Sequence, residues 1–367
     1  MTEVTEDSPG VLVVGTGFGC RIQVPALRAA GFRVLGLVGT DIGRTGLRAS
    51  VNGVQGAFTD LDEAIERTGA TAVAVSTPPD SHAPLILKAI SHHCHVLCEK
   101  PFAMNVDEAR AMLEAAERAG VAHVIGNEFR WEPPRAMISR AIAQGLIGEP
   151  RFAIFTQFLH YAGHPSVDLP HWWFDKGSGG GWLGASGSHA VDWIRTCLGE
   201  FESLSASLPS ITAPNNGAED SYLVRFRLMT GAEGVLQQTA GAWGPFTAMV
   251  RVAGTKGTLW LENGAVRLAD KDGTRELPIP FDLALPRAPP FSDDPRQKSA
   301  EWQMLAQVEL GPYTQLCEAW HAAIHGGVAS SPVPVPTFAD GVANTQVLDA
   351  IRWSAANAGA LAAVRQE

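Results

Sequence analysis

The 367-residue chain lacks the features that mark membrane and secreted proteins. No apolar run approaches the length of a membrane span, which takes about 20 residues. The five cysteines are scattered along the chain, so they do not form the dense pattern of a disulfide framework. The N-terminal stretch 1–10 is acidic and polar, without the basic and apolar regions of a signal peptide. We therefore expect a cytoplasmic protein with no membrane partner.

Positive charge is also scarce. The chain carries 28 Lys and Arg residues against 38 Asp and Glu residues, which gives a formal net charge of -10. An acidic protein of this kind repels a phosphate backbone, so we expect no nucleic-acid partner. A hydrophobic content of 46% and a charged content of 18% are those of an ordinary globular protein. Because 367 residues is long for one hydrophobic core, we expect two domains.

A recognisable metal site is missing as well. The best candidate is the cluster His92-His93-Cys94-His95, with Cys98 shortly after it. Successive side chains of a strand point to opposite faces, so a strand through this segment separates Cys98 from His95. The spacing matches no established structural zinc pattern, and no second pair of ligands follows. We expect no bound metal.

What the chain does contain, near its beginning, is the pattern of a dinucleotide-binding loop. The apolar run Val11–Val14 leads directly into a glycine-rich turn: Gly15, Thr16, Gly17, Phe18, Gly19 and Cys20. A helical pattern and a second strand-like run, 34–38, come next. Glycines let backbone N–H groups approach a pyrophosphate, and the helix N-terminus favours its negative charge. This order predicts a dinucleotide site, with Cys20 as a small residue at the third position of the fingerprint.

The end of the second strand bears on the choice between NAD and NADP. An acid there usually binds the ribose hydroxyls of NAD. Here the strand runs into Gly39-Thr40-Asp41, with Arg44 close behind. If Gly39 holds the position of the acid, nothing repels a 2′-phosphate, and Arg44 can pair with it. If Asp41 curls back, NAD is preferred instead. We lean towards NADP(H), with Thr40 and Arg44 as binding residues.

The alternation of strands and helices predicts an α/β fold. Up to residue 128, strand-like runs at 11–14, 34–38, 72–75, 95–98 and 121–125 alternate with helical patterns. Such alternation is typical of a Rossmann-like, doubly wound parallel sheet. After Pro150, strand-like runs follow one another with few helices, which indicates an α+β domain with a large, mostly antiparallel open sheet.

These patterns also predict the domain boundaries. We expect a dinucleotide-binding domain at residues 1–128 and a substrate-binding and oligomerisation domain at residues 129–367. The C-terminal helices of the second domain can pack back on the first.

The stretch Val96-Leu97-Cys98-Glu99-Lys100-Pro101 ends one of the predicted strands abruptly. Proline cannot donate into a continuing ladder, so the strand stops there and Lys100 lies at its C-terminal lip. In open α/β sheets, ligands bind outside this lip. Lys100 is therefore a candidate catalytic residue, able to polarise a reacting oxygen.

Taken together, these motifs resemble the glucose–fructose oxidoreductase, inositol dehydrogenase and MocA family, abbreviated Gfo/Idh/MocA. The resemblance covers nearly the whole chain and is most specific at Glu99-Lys100-Pro101, which follows a cysteine-containing strand. Further segments carry it: the glycine-rich turn, Ser76-Thr77-Pro78-Pro79 with His82, 145–150, 179–189, and the closing helix after Phe338-Ala339-Asp340-Gly341.

The resemblance implies a nicotinamide cofactor and oxidation or reduction at a carbon of a sugar, cyclitol or related polyol. Lys100 then takes the place of the catalytic lysine, and His189 that of the proton donor or acceptor. Histidine suits this role because it ionises near neutral pH. The family further implies subunit contacts through the outer face of the second sheet, in a homodimer or homotetramer. Beyond the glycine-rich turn, the residues expected to bind the cofactor are Thr40, Arg44, Thr77, Pro78, His82, Glu99, Lys100 and Asn127.

One position departs from the family pattern. Members commonly carry an aspartate four residues before the histidine, where this chain has Ala185. The loss of that carboxylate leads to the hypothesis of a substrate less polar than a free sugar. The aromatic residues of segments 160–164 and 171–176 support it, because they offer apolar walls with a few polar tips. The residues expected to bind the substrate are Tyr161, Trp172, Trp173, Ser186 and His189.

Two other functions fit the same motifs. A lyase or glycosidase can use tightly held NAD for transient oxidation, and such an enzyme shows no net NADH production. A regulator can bind the nucleotide without catalysis, which the absent aspartate allows but the retained Lys100 and His189 oppose. Our first expectation is an NAD(P)-dependent dehydrogenase or reductase that acts on the CH–OH group of a small molecule.

Overall fold

A computed structural model describes residues 8–161, 169–212, 217–285, 300–327, 331 and 333–364. The chain divides into two compact units. The first unit contains residues 1–131 and 286–342, and the second contains residues 132–285 and 343–367. Each unit is built on its own β-sheet.

The first unit is built on a parallel sheet. Its strands are β1 (Gly10–Val14), β2 (Arg33–Val38), β3 (Gly56–Phe58), β4 (Ala72–Val75), β5 (His95–Cys98) and β6 (His123–Ile125). All pairs are parallel, in the order β3-β2-β1-β4-β5-β6. The direction of strand addition therefore reverses beside β1. Such a reversal creates the crevice at which open α/β sheets bind ligands.

The strands are connected by helices α1 (Val24–Ala29), α2 (Ile42–Val51), α3 (Leu61–Thr68), α4 (His82–Ser91) and α5 (Val106–Ala119). Of these, α2, α3 and α5 begin at a side-chain cap. The carboxylate of Asp41 accepts the backbone N–H of Arg44 and caps α2. Helix α5 ends at Gly120, which has a φ of +65° and so adopts the left-handed conformation that glycine favours.

The second unit is built on a nine-stranded sheet. Its strands are β7 (Pro150–Phe158), β8 (Phe201–Ser207), β9 (Ser221–Leu228), β10 (Glu233–Thr239), β11 (Thr247–Gly254), β12 (Gly257–Glu262), β13 (Ala265–Asp270), β14 (Gly273–Leu277) and β15 (Ala362–Ala363). They lie in the order β14-β13-β12-β11-β7-β10-β9-β8-β15. Strands β7 and β10 pair in parallel, and the other neighbours pair antiparallel.

One face of this second sheet is covered by helices. Helices α6 (Pro133–Ala143) and α7 (Ser188–Leu198) lie in the same unit. The ring of Phe155 meets that of Trp193 on α7 at 5.3 Å, edge to face. Along β7 the side chains alternate: Ala153 and Phe155 are buried, whereas Phe152 and Phe158 are about half exposed. The sheet therefore has a packed inner face and an open outer face.

The chain ends with two further helices, α8 (Ala300–Ile324) and α9 (Phe338–Ala356). Helix α8 belongs to the first unit, and the division between the units falls within α9. In the described part of the chain, no helix combines the length and the hydropathy that crossing a membrane requires.

The predicted fold class is confirmed, because a parallel Rossmann-type sheet and a mostly antiparallel sheet are both present. The sequence patterns missed β3, β13, β14 and β15. Strand β3 has three residues, β15 has two, and most of the side chains of β14 are exposed, so these three carry no clear apolar alternation. Strand β13 does alternate, with Val266 and Leu268 buried, and its pattern was overlooked.

Candidate active site

The glycine-rich turn follows β1 and packs against the segment after β4. Gly15 has a φ of +101°, which glycine adopts without strain. A Cβ on Gly15 would lie 2.6 Å from the carbonyl oxygen of Ser76, so no side chain fits there. A Cβ on Gly17, by contrast, would meet nothing within 4 Å. The turn thus offers backbone with open space beside it, as binding of a pyrophosphate requires.

This turn also packs closely against β1 at Gly19, one residue before the fingerprint position that the sequence assigned to Cys20. A Cβ on Gly19 would lie 2.7 Å from Cγ1 of Val13 and 2.9 Å from Oγ of Ser76. Gly19 opens a π-helical turn, Gly19–Gln23, and such turns are frequent at functional sites. Cys20 is half-buried, and this burial raises the pKa of its thiol.

Two guanidinium groups belong to α2, the helix that follows β2. Nη2 of Arg44 donates to Oγ1 of Thr40 at 3.0 Å. One turn further along α2, Nη1 of Arg48 donates to the Oγ1 and carbonyl oxygen of Thr16, at 2.6 and 2.8 Å. Arg48 therefore ties α2 to the glycine-rich turn, and its charge lies beside that of Arg44 on one helix face.

The carboxylate in the same loop is already engaged. Oδ1 of Asp41 lies 2.7 Å from the backbone nitrogen of Arg44, in the cap of α2. Gly39 leaves no room for an acidic side chain, because a Cβ there would collide with Oγ1 of Thr45. The end of β2 is thus more positive than the end that NAD enzymes usually present.

His82 is fully buried at the start of α4. Its Nε2 lies 2.8 Å from the carbonyl oxygen of Thr77, and its Nδ1 lies 3.2 Å from that of Phe102. Burial lowers the pKa of the imidazole. His82 therefore connects the turn at Thr77 and Pro78, which is partly exposed, with the segment that follows Lys100.

Asn127 lies just beyond β6 and is 1% exposed. Neither atom of its side-chain amide has a hydrogen-bond partner among the described residues. A buried amide left without partners costs free energy, so it commonly marks a place where a ligand or water completes the structure. The open backbone at Gly17 and the amide of Asn127 both fit a bound dinucleotide.

Lys100 lies two residues beyond the end of β5 and is half-buried. A cis peptide bond joins it to Pro101. Its backbone N–H donates to Oε2 of Glu99 at 3.2 Å. The other carboxylate oxygen of Glu99 accepts the hydroxyl of Tyr313 at 2.6 Å. Lys100 is thus anchored at the strand end by the residue before it.

Three carboxyl groups, two of them buried and that of Glu309 half-buried, act on the charge of Lys100. Those of Glu99, Glu128 and Glu309 all interact with it electrostatically. Burial raises the pKa of each carboxyl group, that of Glu99 to about 7. Arg21 lies 3.3 Å from Glu309 and adds a second positive charge. The lysine therefore lies in a cluster of acids rather than beside a single partner.

His189 is the second residue of α7 in the second unit and is 7% exposed. A π-helical turn, Leu183–Gly187, leads directly into this helix. Oγ of Ser186 donates to Oε1 of Gln238 on β10 at 2.8 Å, which fixes the turn to the sheet. The structure thus brings Ser186 and His189 together on one short segment.

Ala185 lies within the same turn, and a carboxylate reaches the start of that turn from another element. Oε1 of Glu219 accepts the backbone N–H of Leu183 at 3.1 Å. Gly181 has a φ of +118°, and a Cβ there would collide with the Glu219 carboxylate. Burial raises the pKa of Glu219. The glycine-rich approach to His189 is therefore shaped around an acid that sequence reasoning did not single out.

The aromatic residues predicted to bind substrate contact one another through Trp182. The ring of Tyr161 meets that of Trp182 at 6.1 Å, Trp182 meets Trp173 at 5.5 Å, and Trp173 meets Trp172 at 6.1 Å. Trp173, Trp182 and Glu219 line a small pocket that is partly open to solvent. Residues 162–168 lie outside the described residues.

Histidines of the cluster considered for zinc have other partners. Nε2 of His92 lies 2.9 Å from Oδ1 of Asp62, and Nδ1 of His95 accepts the backbone N–H of Ala122 at 2.9 Å. Across the ranges that the structure describes, no three His, Cys, Asp or Glu side chains are grouped to hold a metal ion.

Sequence reasoning missed Arg48, Glu128, Glu219 and Tyr313. Arg48 had a signal, because it follows Arg44 by four residues and so shares its helix face. Glu128 lies just beyond the predicted strand 121–125, immediately after Gly126 and Asn127. Glu219 and Tyr313 reach the site from distant segments, which no local pattern reveals.

Two family models match this chain. Residues 10–127 match the oxidoreductase family with an NAD-binding Rossmann fold, GFO_IDH_MocA, and residues 136–260 match the GFO/IDH/MocA C-terminal domain. The 1,5-anhydro-D-fructose reductase of Ensifer adhaerens is 30% identical over 267 residues, which cover 70% of this chain and 78% of that protein. The inositol 2-dehydrogenase of Rubrobacter xylanophilus is 28% identical over 253 residues, with coverages of 67% and 69%.

Solved structures share the fold over nearly the whole chain. Levoglucosan dehydrogenase in complex with NADH and levoglucosan superposes with a TM-score of 0.82 at 22% identity, covering 98% of this chain and 100% of that one. An oxidoreductase domain protein from Kribbella flavida gives a TM-score of 0.81 at 25% identity, with the same coverages.

Proposed function

This chain belongs to the Gfo/Idh/MocA family of NAD-dependent oxidoreductases, and on that premise we propose the reaction that it catalyses. It transfers a hydride between a nicotinamide and a secondary alcohol or ketone carbon of a sugar-, cyclitol- or ring-containing substrate. The main support is the position of Lys100 at the carboxyl end of β5, among buried carboxyl groups and in the same unit as the glycine-rich turn. The names of the reductase and inositol dehydrogenase relatives point to the same substrate class.

The residues that would hold the dinucleotide are those of the turn and the strand ends. The backbone from Gly15 to Cys20 would receive the pyrophosphate, and the amide of Asn127 would gain the partners that it lacks. Thr77 and Pro78 would line the same edge of the sheet. When bound, the nicotinamide supplies or accepts the hydride.

For the cofactor we propose NADP(H). Arg44 and Arg48 present guanidinium groups after β2, and the carboxylate of Asp41 is engaged in capping α2. The planar fork of a guanidinium matches the oxygens of a phosphate, which makes arginine well suited to the 2′-phosphate that distinguishes NADP. Thr40, held by Arg44, would contribute a hydroxyl to the same group.

In this proposal Lys100 and His189 have separate tasks. The positive charge of Lys100 polarises the reacting oxygen and stabilises the negative charge that develops on it. His189 takes the hydroxyl proton during oxidation and returns it during reduction. Histidine can do both because it exchanges protons near neutral pH.

The aromatic side chains support a substrate with an apolar face. Tyr161, Trp172 and Trp173 offer rings that stack on a flat, apolar substrate surface. Ala185 presents a methyl group where the family commonly has a carboxylate. We propose that these features favour a ring-containing alcohol less polar than a free monosaccharide.

The open face of the second sheet supports assembly into a homodimer or homotetramer. Phe152, Phe158, Leu223 and Met249 are each about half exposed. The strand register places them on one face, since Thr156 pairs with Met249 on one side and with Gln237 on the other. Contiguous exposed apolar surface commonly marks an interface. Sedimentation velocity should give a mass of about two or four times 39.0 kDa, which is the mass of one chain. A particle of 39.0 kDa would contradict the proposal.

A hydride-transfer screen of the wild type and Lys100→Ala tests the function. Sugars, cyclitols and aryl-substituted alcohols are offered with NADP and with NAD, and nucleotide absorbance is followed. We expect net reduction of the nucleotide by the wild type. Lys100→Ala should bind nucleotide normally and lose about 100-fold or more in kcat, because the developing charge loses its stabilising partner. Lys88→Ala is the control, a partly exposed lysine of α4 in the same unit.

The other outcomes separate the alternatives. Near-normal turnover by Lys100→Ala would reject the role of this lysine. Product formation without net change in the nucleotide would favour a lyase or glycosidase, and binding without any turnover would favour a regulator. Efficient turnover of simple monosaccharides but not of aryl alcohols would contradict the proposal that the substrate is less polar than a free monosaccharide.

A further inference from the structure

A series of buried hydrogen bonds connects the π-helical turn Gly19–Gln23 with the residue before Lys100. Nε2 of Gln23 donates to the hydroxyl of Tyr313 at 2.8 Å, and this hydroxyl donates to Oε1 of Glu99 at 2.6 Å. Oε2 of Glu99 then accepts the backbone N–H of Lys100 at 3.2 Å. Gln23 and Tyr313 are fully buried, so water does not compete for these bonds.

Tyr313 reaches this position from a distant part of the chain. It lies on α8, 214 residues after Glu99. Its ring meets that of Phe18 in the glycine-rich turn at 5.6 Å, edge to face. One helical turn earlier, Glu309 pairs with Arg21 at 3.3 Å. One face of α8 therefore contacts both the glycine-rich turn and the residue before Lys100.

The carboxylate of Glu99 occupies a seat that fits it closely. A Cβ on Gly126 would lie 2.8 Å from each of its two oxygens, so the absence of a side chain at Gly126 makes the space. The N–H of Gly126 donates to the carbonyl oxygen of Cys98 at 2.8 Å, which holds this glycine beside the end of β5. The carboxylate is thus confined between Gly126, Tyr313 and the backbone of Lys100.

We propose that Tyr313 is a positioning residue for Lys100, because its hydroxyl holds the Glu99 carboxylate in the ionised form and orientation that anchor the Lys100 backbone. The inference rests on the proposed role of Lys100 in hydride transfer. Tyr313 itself touches neither the substrate nor the reacting atoms in this scheme.

The electrostatics around Glu99 explain why one hydroxyl matters. Burial raises the pKa of the carboxyl to about 7, and the hydrogen bond from Tyr313 opposes that rise because it favours the charged form. Without the hydroxyl, the pKa of Glu99 should rise further, and a larger fraction should be protonated at neutral pH. The other titratable groups that act on it or are acted on by it are Cys98, Lys100, Glu128, Glu309, Cys317 and Arg21.

The variant Tyr313→Phe tests the proposal by removing only the hydroxyl. Thr314→Val is the matched control, since it removes a neighbouring hydroxyl that bonds within α8 to Leu310. In Tyr313→Phe we expect kcat below pH 7 to fall about 10-fold, with its acid limb shifted up by about one pH unit. At high pH the rates of variant and wild type should converge, because Glu99 is then ionised in both. The KM for the nucleotide should stay within about 2-fold.

Two further measurements keep the test decisive. Glu99→Gln removes the titrating group, so the limb that shifted in Tyr313→Phe should be absent. A carbon-13 NMR titration of the Glu99 carboxyl, assigned with Glu99→Gln, should show the same upward shift in its midpoint and needs no turnover.

An unchanged titration, or a loss of kcat that is equal at every pH, would overturn the positioning role. If Lys100→Ala were fully active, the proposed function itself would fail, whatever Tyr313→Phe showed. If Lys100→Ala were inactive while Tyr313→Phe behaved like Thr314→Val, only the role of Tyr313 would be rejected.

Discussion

Each unit has a π-helical turn of five residues just before a helix, yet the two turns are used differently. The turn Gly19–Gln23 follows a loop whose glycines leave backbone open beside Gly17. The turn Leu183–Gly187 leads into the start of α7 and delivers one side chain, His189. The first turn suits a charged ligand held by backbone, whereas the second suits a proton exchanged at a defined atom.

The units also differ in where their acids lie. In the first unit, Glu99, Glu128 and Glu309 are gathered around Lys100. In the second, Ala185 replaces the expected acid, and Glu219 caps the beginning of the turn instead. The comparison teaches that this chain gives the lysine charged neighbours from its own unit, whereas at the histidine turn an acid binds the backbone N–H of Leu183 and an alanine stands at position 185.

The largest effect should come from removing the side chain that the second turn delivers. His189→Ala should lower kcat by about 10²- to 10⁴-fold, because no group then exchanges the proton. The Kd of the nucleotide should stay unchanged if the first unit alone binds it. The pH–rate profile should lose one limb. His325→Ala, at an exposed histidine just after α8, is the control.

An unchanged pH–rate profile in His189→Ala would reject the proposal that the first turn holds a charged ligand while the second supplies the group that exchanges a proton. A large loss of nucleotide affinity in this variant would contradict it as well, since the histidine would then serve binding rather than proton exchange.

A smaller effect should follow from a change confined to the nucleotide side. Arg44→Ala should raise the KM for NADPH about 10-fold, because one charge-assisted contact to the 2′-phosphate is lost. The KM for NADH and the kcat should hardly change, since NADH lacks that phosphate. Steady-state kinetics with both nucleotides measure the ratio, with Arg67→Ala on the exposed surface of α3 as control. An equal rise for both nucleotides would reject the NADP(H) preference.

Much of the first unit could be predicted from the sequence, because its buried parallel strands are continuous apolar runs such as Val11–Val14. The glycine-rich turn and the end of β5 at Lys100 followed from the positions of glycines and of Pro101. Less could be said of segment 182–198. The structure divides it into a π-helical turn and α7. The periodicity of apolar residues does not distinguish these two kinds of helix, so the sequence does not show the boundary between them.

The parts that sequence reasoning missed depend on long-range packing. The bond from Tyr313 to Glu99 exists only after α8 has joined the sheet, and the space beside Gly126 for the Glu99 carboxylate exists only once β5 and β6 have paired. Likewise, the sequence gives no sign that Glu219 will meet Leu183. Local sequence patterns identify a reactive residue at the end of a strand. They do not identify a hydrogen-bond partner that is distant in the sequence.

The first unit is discontinuous, with residues 286–342 added to residues 1–131. On a ribosome, where domains generally fold as they emerge, the segment 1–131 therefore appears early but lacks α8 until most of the chain has been made. Until then Glu99 has no Tyr313, Gln23 has no partner on α8, and Phe32 lacks the stacked ring of Trp320. The first unit is thus begun before the second, but it is completed only after residues 132–285 of the second have been made.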